Sequence, residues 1–319
     1  MTAVVFKTPG LIDLRAFTVP GMSAKPNSTN PIGMFGTGLK YSVATILRLK
    51  GSMVVYIGFD RYEFQMRPED FRGVSFDRIR MKVNKFSLLR SSYTDLPYTT
   101  TYGRNWAPWM VVRELEANTR DEGGTSFKTD SPHVAEAGHT CIVVELDAFI
   151  EAYDELSEIF LPDAQREGSG VQVVDEQSDY LYWRGLRVYK PGKRTLFTYN
   201  FLDYLTLTED RTLAYEFQAR AMLADQVAQS DDESFIEMIL EAEEDDWEHE
   251  LEFDTSLKPS EAFHRVARRS KKLSGSARGY YGHYDDRIRI STSDAMAGPP
   301  DALEGRRRRG TGRKRDDGL

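Results

Sequence analysis

Between residues 41 and 49, YSVATILRL, apolar side chains recur every three or four positions, a spacing that predicts an amphipathic helix. SMVVYIGF and RYEFQM alternate on either side of a GFD turn and predict a hairpin. FDRIRMKVNKF alternates again and places Ile79, Met81 and Val83 on one face of a further strand. Trp106 to Asp121 reads as a helix entered after Asn105 and stopped by Gly123 and Gly124. TCIVVEL is a short buried strand, residues 147–160 (DAFIEAYDELSEIF) are helical, and DYLYWRGLRVYK and RTLFTYNFL are strands. From Thr208 to about Leu251 the pattern is helical. No segment repeats, and the mixture of periods predicts an α/β body.

Composition narrows the class. The chain has 319 residues, 40% of them hydrophobic and 29% charged, enough for one large domain or two smaller ones with an ample core. No apolar run approaches the ~20 residues of a membrane helix, so no membrane role is expected. The start, MTAVVFKTPGLIDLR, lacks a basic segment followed by a clean apolar one, so no signal peptide is expected. Cys141 is the only cysteine, which excludes a disulfide within the chain and a cysteine metal cluster, and makes a cytoplasmic setting the simplest reading.

The formal net charge of -8 argues against nucleic-acid coating by the body of the protein, but the charge is uneven. Residues 231–254 (DDESFIEMILEAEEDDWEHELEFD) are strongly acidic, whereas the end, GRRRRGTGRKRDDGL, is basic. This divides the chain into a body over 1–225, an acidic helical region over 226–296 and a disordered basic tail over 297–319. The tail is either simply solvated or the one part placed to touch nucleic acid or an acidic partner.

Two stretches carry candidate chemistry. PIGMFGTGLK holds Gly33, Gly36 and Gly38 in a GxxGxG spacing just ahead of the helix. Glycines let backbone approach a ligand closely, and a helix starting behind them aims its unpaired N–H groups and positive dipole end at an anion. The stretch is a phosphate cradle or a plain turn. It is not a GxxxxGK[ST] loop, and no βαβ unit precedes it. Lys40 either reaches a phosphate or faces solvent. On the second helix Glu114, Asn118 and Asp121 stand at i, i+4 and i+7 and share one stripe. A carboxylate there can deprotonate water, and an amide oxygen is a hard ligand for Mg²⁺; the alternative is a solvated polar face. Arg211, in LTEDRT, reaches a γ-phosphate or belongs to a charge cluster at a helix start. The five histidines show no metal-binding spacing, and no GxSxG is present.

Together the two stretches resemble the Bergerat-fold (GHKL) ATPases, the superfamily of gyrase, heat-shock chaperone, mismatch-repair and histidine-kinase ATP-binding domains. In that family an ExxxNxxD helix supplies the catalytic glutamate and the magnesium-binding asparagine, and a GxxGxG loop caps the phosphates. Glu114, Asn118 and Asp121 match the first pattern; Gly33, Gly36 and Gly38 match the second, in reversed chain order. The resemblance therefore implies a two-layer α/β sandwich of Bergerat type, circularly permuted, with a helical C-terminal region. Permutation of this kind is tolerated where termini lie close together. No DxGxG occurs for the adenine; Asp147, after TCIVVEL, is where the family's aspartate would stand.

LIDLRAFTVPGMSAK, NPIGMFGTGLKYSVATILR, NWAPWMVVRELEANTRDEGG, YWRGLRVYKPGKRTLFTYN and LTEDRT are in addition similar to phage rIIA-type and related predicted phage ATP-binding proteins. That resemblance implies a phage protein acting in the bacterial host cytoplasm, whereas the Bergerat resemblance implies Mg²⁺ and ATP as cofactors and slow hydrolysis with Glu114 as general base; the output would be a change of protein partner or of self-association. Residues 26–30, PNSTN, would close as a lid. The alternative is a non-hydrolysing nucleotide sensor or structural interaction protein.

Overall fold

The computed structural model describes residues 2–19, 37–87, 90–253 and 258–270. The chain divides into two units, Met1–Ala219 and Arg220–Leu319.

The first unit is mixed α/β. In chain order it contains β1 (Ala3–Pro9), α1 (Arg15–Thr18), α2 (Gly38–Arg48), β2 (Ser52–Ile57), β3 (Asp60–Phe71), β4 (Val74–Asn84), β5 (Ser92–Thr99), α3 (Pro108–Asp121), β6 (Thr125–Thr129) and β7 (His139–Glu145). These are followed by α4 (Asp147–Asp154), α5 (Leu156–Ile159), β8 (Val171–Val174), β9 (Leu181–Trp183), β10 (Leu186–Tyr189) and β11 (Thr198–Phe201). Seven strands form one sheet in the order β5-β4-β3-β2-β7-β1-β6. Every pairing in it is antiparallel. A smaller sheet, β10-β9-β11-β8, is antiparallel except between β9 and β11.

The central strands β1, β2 and β7 read as unbroken apolar runs because both of their faces are buried. Val4, Phe6, Met53, Val55, Ile142 and Val144 join the core formed with α2, α3 and α4, where Ile46, Val111, Leu115 and Phe149 are buried. Ala3, Val5, Val54, Tyr56, Cys141 and Val143 alternate to the opposite face and cluster there. Ile79, Met81 and Val83 share the helix-side core, as the alternation in β4 requires. Thus α2 and α3 lie on the same face of the sheet, the geometric condition for their polar residues to meet.

Several expected boundaries are corrected. The helix expected from Trp106 begins at Pro108, with Ala107 as extended N-cap, because proline at the first helical position disfavours a helical residue before it. The helix expected over 147–160 is interrupted at Glu155 and continues as the short α5. The continuous helix expected from Thr208 to Leu251 is instead a turn over 208–213 followed by shorter elements. Those elements are α6 (Glu216–Gln229), α7 (Glu233–Leu240) and a 3₁₀ turn at Trp247–Glu250. The break between α6 and α7 has a local cause: the Asp232 side chain accepts from the backbone N–H groups of Ser234 and Phe235, which caps a new helix.

In the second unit Leu223, Val227, Ile236, Ile239, Trp247, Phe253 and Phe263 are buried, and the Phe253 and Phe263 rings lie 5.3 Å apart. Its last helix, α8 (Glu261–Arg269), is capped by Ser260, whose hydroxyl accepts from Phe263 N–H at 3.0 Å. No helix among the described residues is long and apolar enough to cross a membrane.

Candidate functional site

Three separate chain segments converge in the first unit. The first is the start of α2. Thr37 occupies the N-cap position without bonding the first turn through its side chain, while its carbonyl accepts from the Lys40 N–H at 3.0 Å. Gly38 opens the helix against the side chain of Glu114; a Cβ at this position would overlap that carboxylate, so only glycine allows the approach. Lys40 follows on the first turn and is only 1% exposed. Burial pulls its pKa below the ordinary lysine value, and the Glu114 carboxylate opposes that shift. The positive end of the helix and the Lys40 charge both favour an anion at this point.

The second segment is α3. Its two glutamates point apart because residues two positions apart lie on opposite sides of a helix. Glu116 pairs with Arg120 at 2.6 Å and accepts from Ser126. Glu114, 3% exposed, points the other way: its Oε1 accepts from Asn118 Nδ2 at 2.8 Å, and its Oε2 is ion-paired with Arg211. The i, i+4 spacing thus makes a carboxylate–amide unit whose outer member, Asn118, is half-buried at the rim. Asp121, one turn further along, is exposed at the end of α3.

The third segment is the turn over 208–212. Thr208 and Thr212 close it through an N–H to carbonyl bond of 2.9 Å, and Arg211 adopts a left-handed backbone with φ of +56°. The turn is held at four points: Glu209 accepts from the Tyr41 hydroxyl, Asp210 accepts from Trp106 Nε1 at 2.7 Å, and Arg113 donates to the carbonyls of Asp210 (2.6 Å) and Arg211 (2.9 Å). Tyr41, Tyr102 and Trp106 pack edge to face around it. Arg48, at the end of α2, fixes the loop that carries Trp106 by donating to the carbonyls of Thr100, Gly103 and Trp106.

Lys40, Arg113 and Arg211 are buried around the buried carboxylate of Glu114. Burial, with the neighbouring Arg211 charge adding to it, lowers the Arg113 pKa from the usual arginine range. Three of its donors are matched by neutral carbonyls, so it adds charge that no carboxylate bonds. Burying a guanidinium whose donors meet only neutral carbonyls is costly, and an anion nearby offsets that cost.

Of the residues singled out from the sequence, Gly38, Lys40, Glu114, Asn118 and Arg211 come together. Asp147 does not: it is exposed in the first turn of α4, and no hydrogen bond or ion pair joins it to the cluster among the described residues. Gly33, Gly36, the segment 26–30 and the basic tail lie outside the described residues. Arg48, Trp106 and Arg113 were not legible as site residues. Arg113 stands beside Glu114 in the motif, but nothing in the local pattern shows that it reaches a turn nearly a hundred residues away.

No group of three or more His, Cys, Asp or Glu among the described residues could hold a metal ion. A magnesium ion here would therefore have to arrive with phosphate oxygens, and the Asn118 amide oxygen is the hard protein donor suited to it. Comparison of the chain with protein-family models, with curated proteins and with solved structures finds no match.

Proposed function

We propose that the protein binds Mg·ATP at the junction of α2, α3 and the 208–212 turn and hydrolyses it slowly, as a conformational switch. The observation that carries this reading is the convergence of the glycine-led start of α2 and its Lys40 with Glu114, Asn118 and Arg211. The phosphates are assigned to the first turn of α2, with Lys40 and Arg211 offsetting their charge. Asn118 is assigned to the magnesium, which when bound would shield the phosphate charge. Glu114 is the group placed to take a proton from water as the water oxygen bonds the γ-phosphorus; the bond from that phosphorus to the bridging oxygen breaks, releasing ADP and phosphate.

The Bergerat type and its permuted order are part of the same proposal. They rest on the motif resemblance and are supported by two helices on one face of an antiparallel sheet, with the glycine-led helix earlier in the chain than the Glu–Asn helix. The phage setting, the bacterial cytoplasm and a partner or self-association as the output of the switch likewise rest on the resemblance.

A second reading is a nucleotide sensor without turnover. The pairing of Glu114 with both Asn118 and Arg211 favours it, because a carboxylate so engaged has to exchange a partner before it can bind water. Release of phosphate from Mg·ATP by the wild type, lost in Glu114→Ala while ATP binding persists, supports hydrolysis. Binding without any phosphate release above the Glu114→Ala level leaves the sensor reading; no binding by either protein removes both.

A further inference from the structure

A separate cleft of about 350 Å³ opens in the first unit between Trp109, Tyr180, Arg187, Tyr189, Lys190 and Thr212. Its volume falls in the range of small-molecule sites, and its walls combine aromatic rings with two cations. The Arg187 guanidinium is clamped between two rings, 4.0 Å from the Trp109 centroid and 4.2 Å from that of Tyr180. Arg187 is only 6% exposed, yet its buried Nη1 has no hydrogen-bond partner among the described residues. Its one ion-pair neighbour, Glu158, is half-exposed and 4.0 Å away, beyond hydrogen-bond range. Leaving a buried guanidinium donor unmatched costs free energy, and the two rings fix its plane, so the donors that remain point edgewise. Lys190 lies 5.3 Å from the Tyr180 ring; its nearest carboxylate, Asp179, is exposed and at 3.8 Å.

We propose that this cleft binds a small phosphate ester, its anionic head on Arg187 and Lys190 and its organic body against Tyr180, Tyr189 and Trp109. A phosphate is favoured over a carboxylate because it offers three terminal oxygens to a planar fork and an ammonium at once, and its second charge is offset by the second cation. The apolar remainder of the wall, Val188 and Leu213, suits an aromatic or apolar body rather than bare inorganic phosphate. The site is independent of the Mg·ATP reading. It adjoins the Glu114 cluster through Thr212 of the 208–212 turn, through Trp109 on α3, and through Arg113, which donates to the Arg187 carbonyl at 3.0 Å.

The test is a calorimetric titration of the full chain with phenyl phosphate, inorganic phosphate and benzoate. Phenyl phosphate should bind, more tightly than either of the others. Its affinity should fall about tenfold in Arg187→Met, which keeps the stem between the rings, and about fivefold in Lys190→Glu, an exposed position that leaves folding intact. Asn118→Ala should leave it unchanged. Should Arg187→Met fail to fold by circular dichroism, Lys190→Glu decides alone. No binding of phenyl phosphate at about 10 mM, equal binding of benzoate, or affinity indifferent to Lys190→Glu would overturn the assignment. So would loss of phenyl phosphate binding in Asn118→Ala, which would place the phosphate at the Glu114 cluster instead.

Discussion

Replacing Arg211 by methionine removes one charge from a buried pair while keeping most of the side-chain stem. Glu114 is 3% exposed and the Arg211 side chain 7%, so neither charge can turn to water without local opening. Breaking such a pair by deleting one partner typically costs about 3–5 kcal/mol, because the remaining charge stays desolvated. Here Glu114 keeps the Asn118 amide and the field of Lys40, which places the expected loss near the lower end, about 3 kcal/mol. Glu114→Gln alone should also destabilise, since it leaves Arg211 buried opposite a neutral amide. Combined with Arg211→Met, it removes both charges, and the double variant should be more stable than the sum of the singles by about 1.5–3 kcal/mol. Urea unfolding of the four proteins, compared at matched m-values, measures this coupling. Losses that simply add to within about 0.5 kcal/mol would show that the two groups do not form an energetic pair, and the account of a charge-latched glutamate would fail.

Gly38→Ala should destabilise by about 1–3 kcal/mol and weaken nucleotide binding, because the new methyl overlaps the Glu114 carboxylate. Gly192→Ala, where a Cβ meets nothing within 4 Å, is the control and should shift stability by less than about 0.5 kcal/mol. Cys141 is buried in β7 and burial raises its thiol pKa, so a disulfide reagent at pH 8 should label it only as urea unfolds the protein; prompt labelling of the native chain would contradict its placement. The Tyr182 hydroxyl donates to the Glu158 carbonyl at 3.0 Å, and desolvation pushes its pKa up to about 12. A folded-state pKa above the unfolded value of about 10 means stability is whole below pH 10 and lost as pH rises toward 12. Tyr182→Phe should flatten that alkaline loss, and an unaltered slope in thermal unfolding between pH 9 and 11 would count against the burial argument.

What could be read from the chain was set by how local each signal is. α2, the β2–β3 hairpin, β4, β7 and the Glu114–Asn118 stripe follow from spacing within about a dozen residues. β1, β5 and β6 escaped for reasons of context. AVVFKTP is too short an apolar run to declare itself, and its partners in β6 and β7 lie more than a hundred residues away. SYTDLPYT carries Pro97, tolerated only because β5 is an edge strand. The same limit governed the site. The i, i+4 pairing of Glu114 and Asn118 is a property of one helix, whereas the docking of Arg211 onto Glu114, and of Arg113 onto the 208–212 turn, depends on how remote segments pack. Asp147 was picked by chain order alone, and it stands exposed at the start of α4 with no hydrogen bond or ion pair to the cluster among the described residues.

The central claim is that the junction of α2, α3 and the 208–212 turn is a nucleotide site, and calorimetric titration of the purified chain with ATP and Mg²⁺, beside Asn118→Ala, tests it most directly. Micromolar binding that requires Mg²⁺ and is lost in Asn118→Ala is the predicted result. Absence of binding to ATP, or binding of equal affinity in the variant, would contradict it and leave the Glu114 cluster a structural feature of the fold.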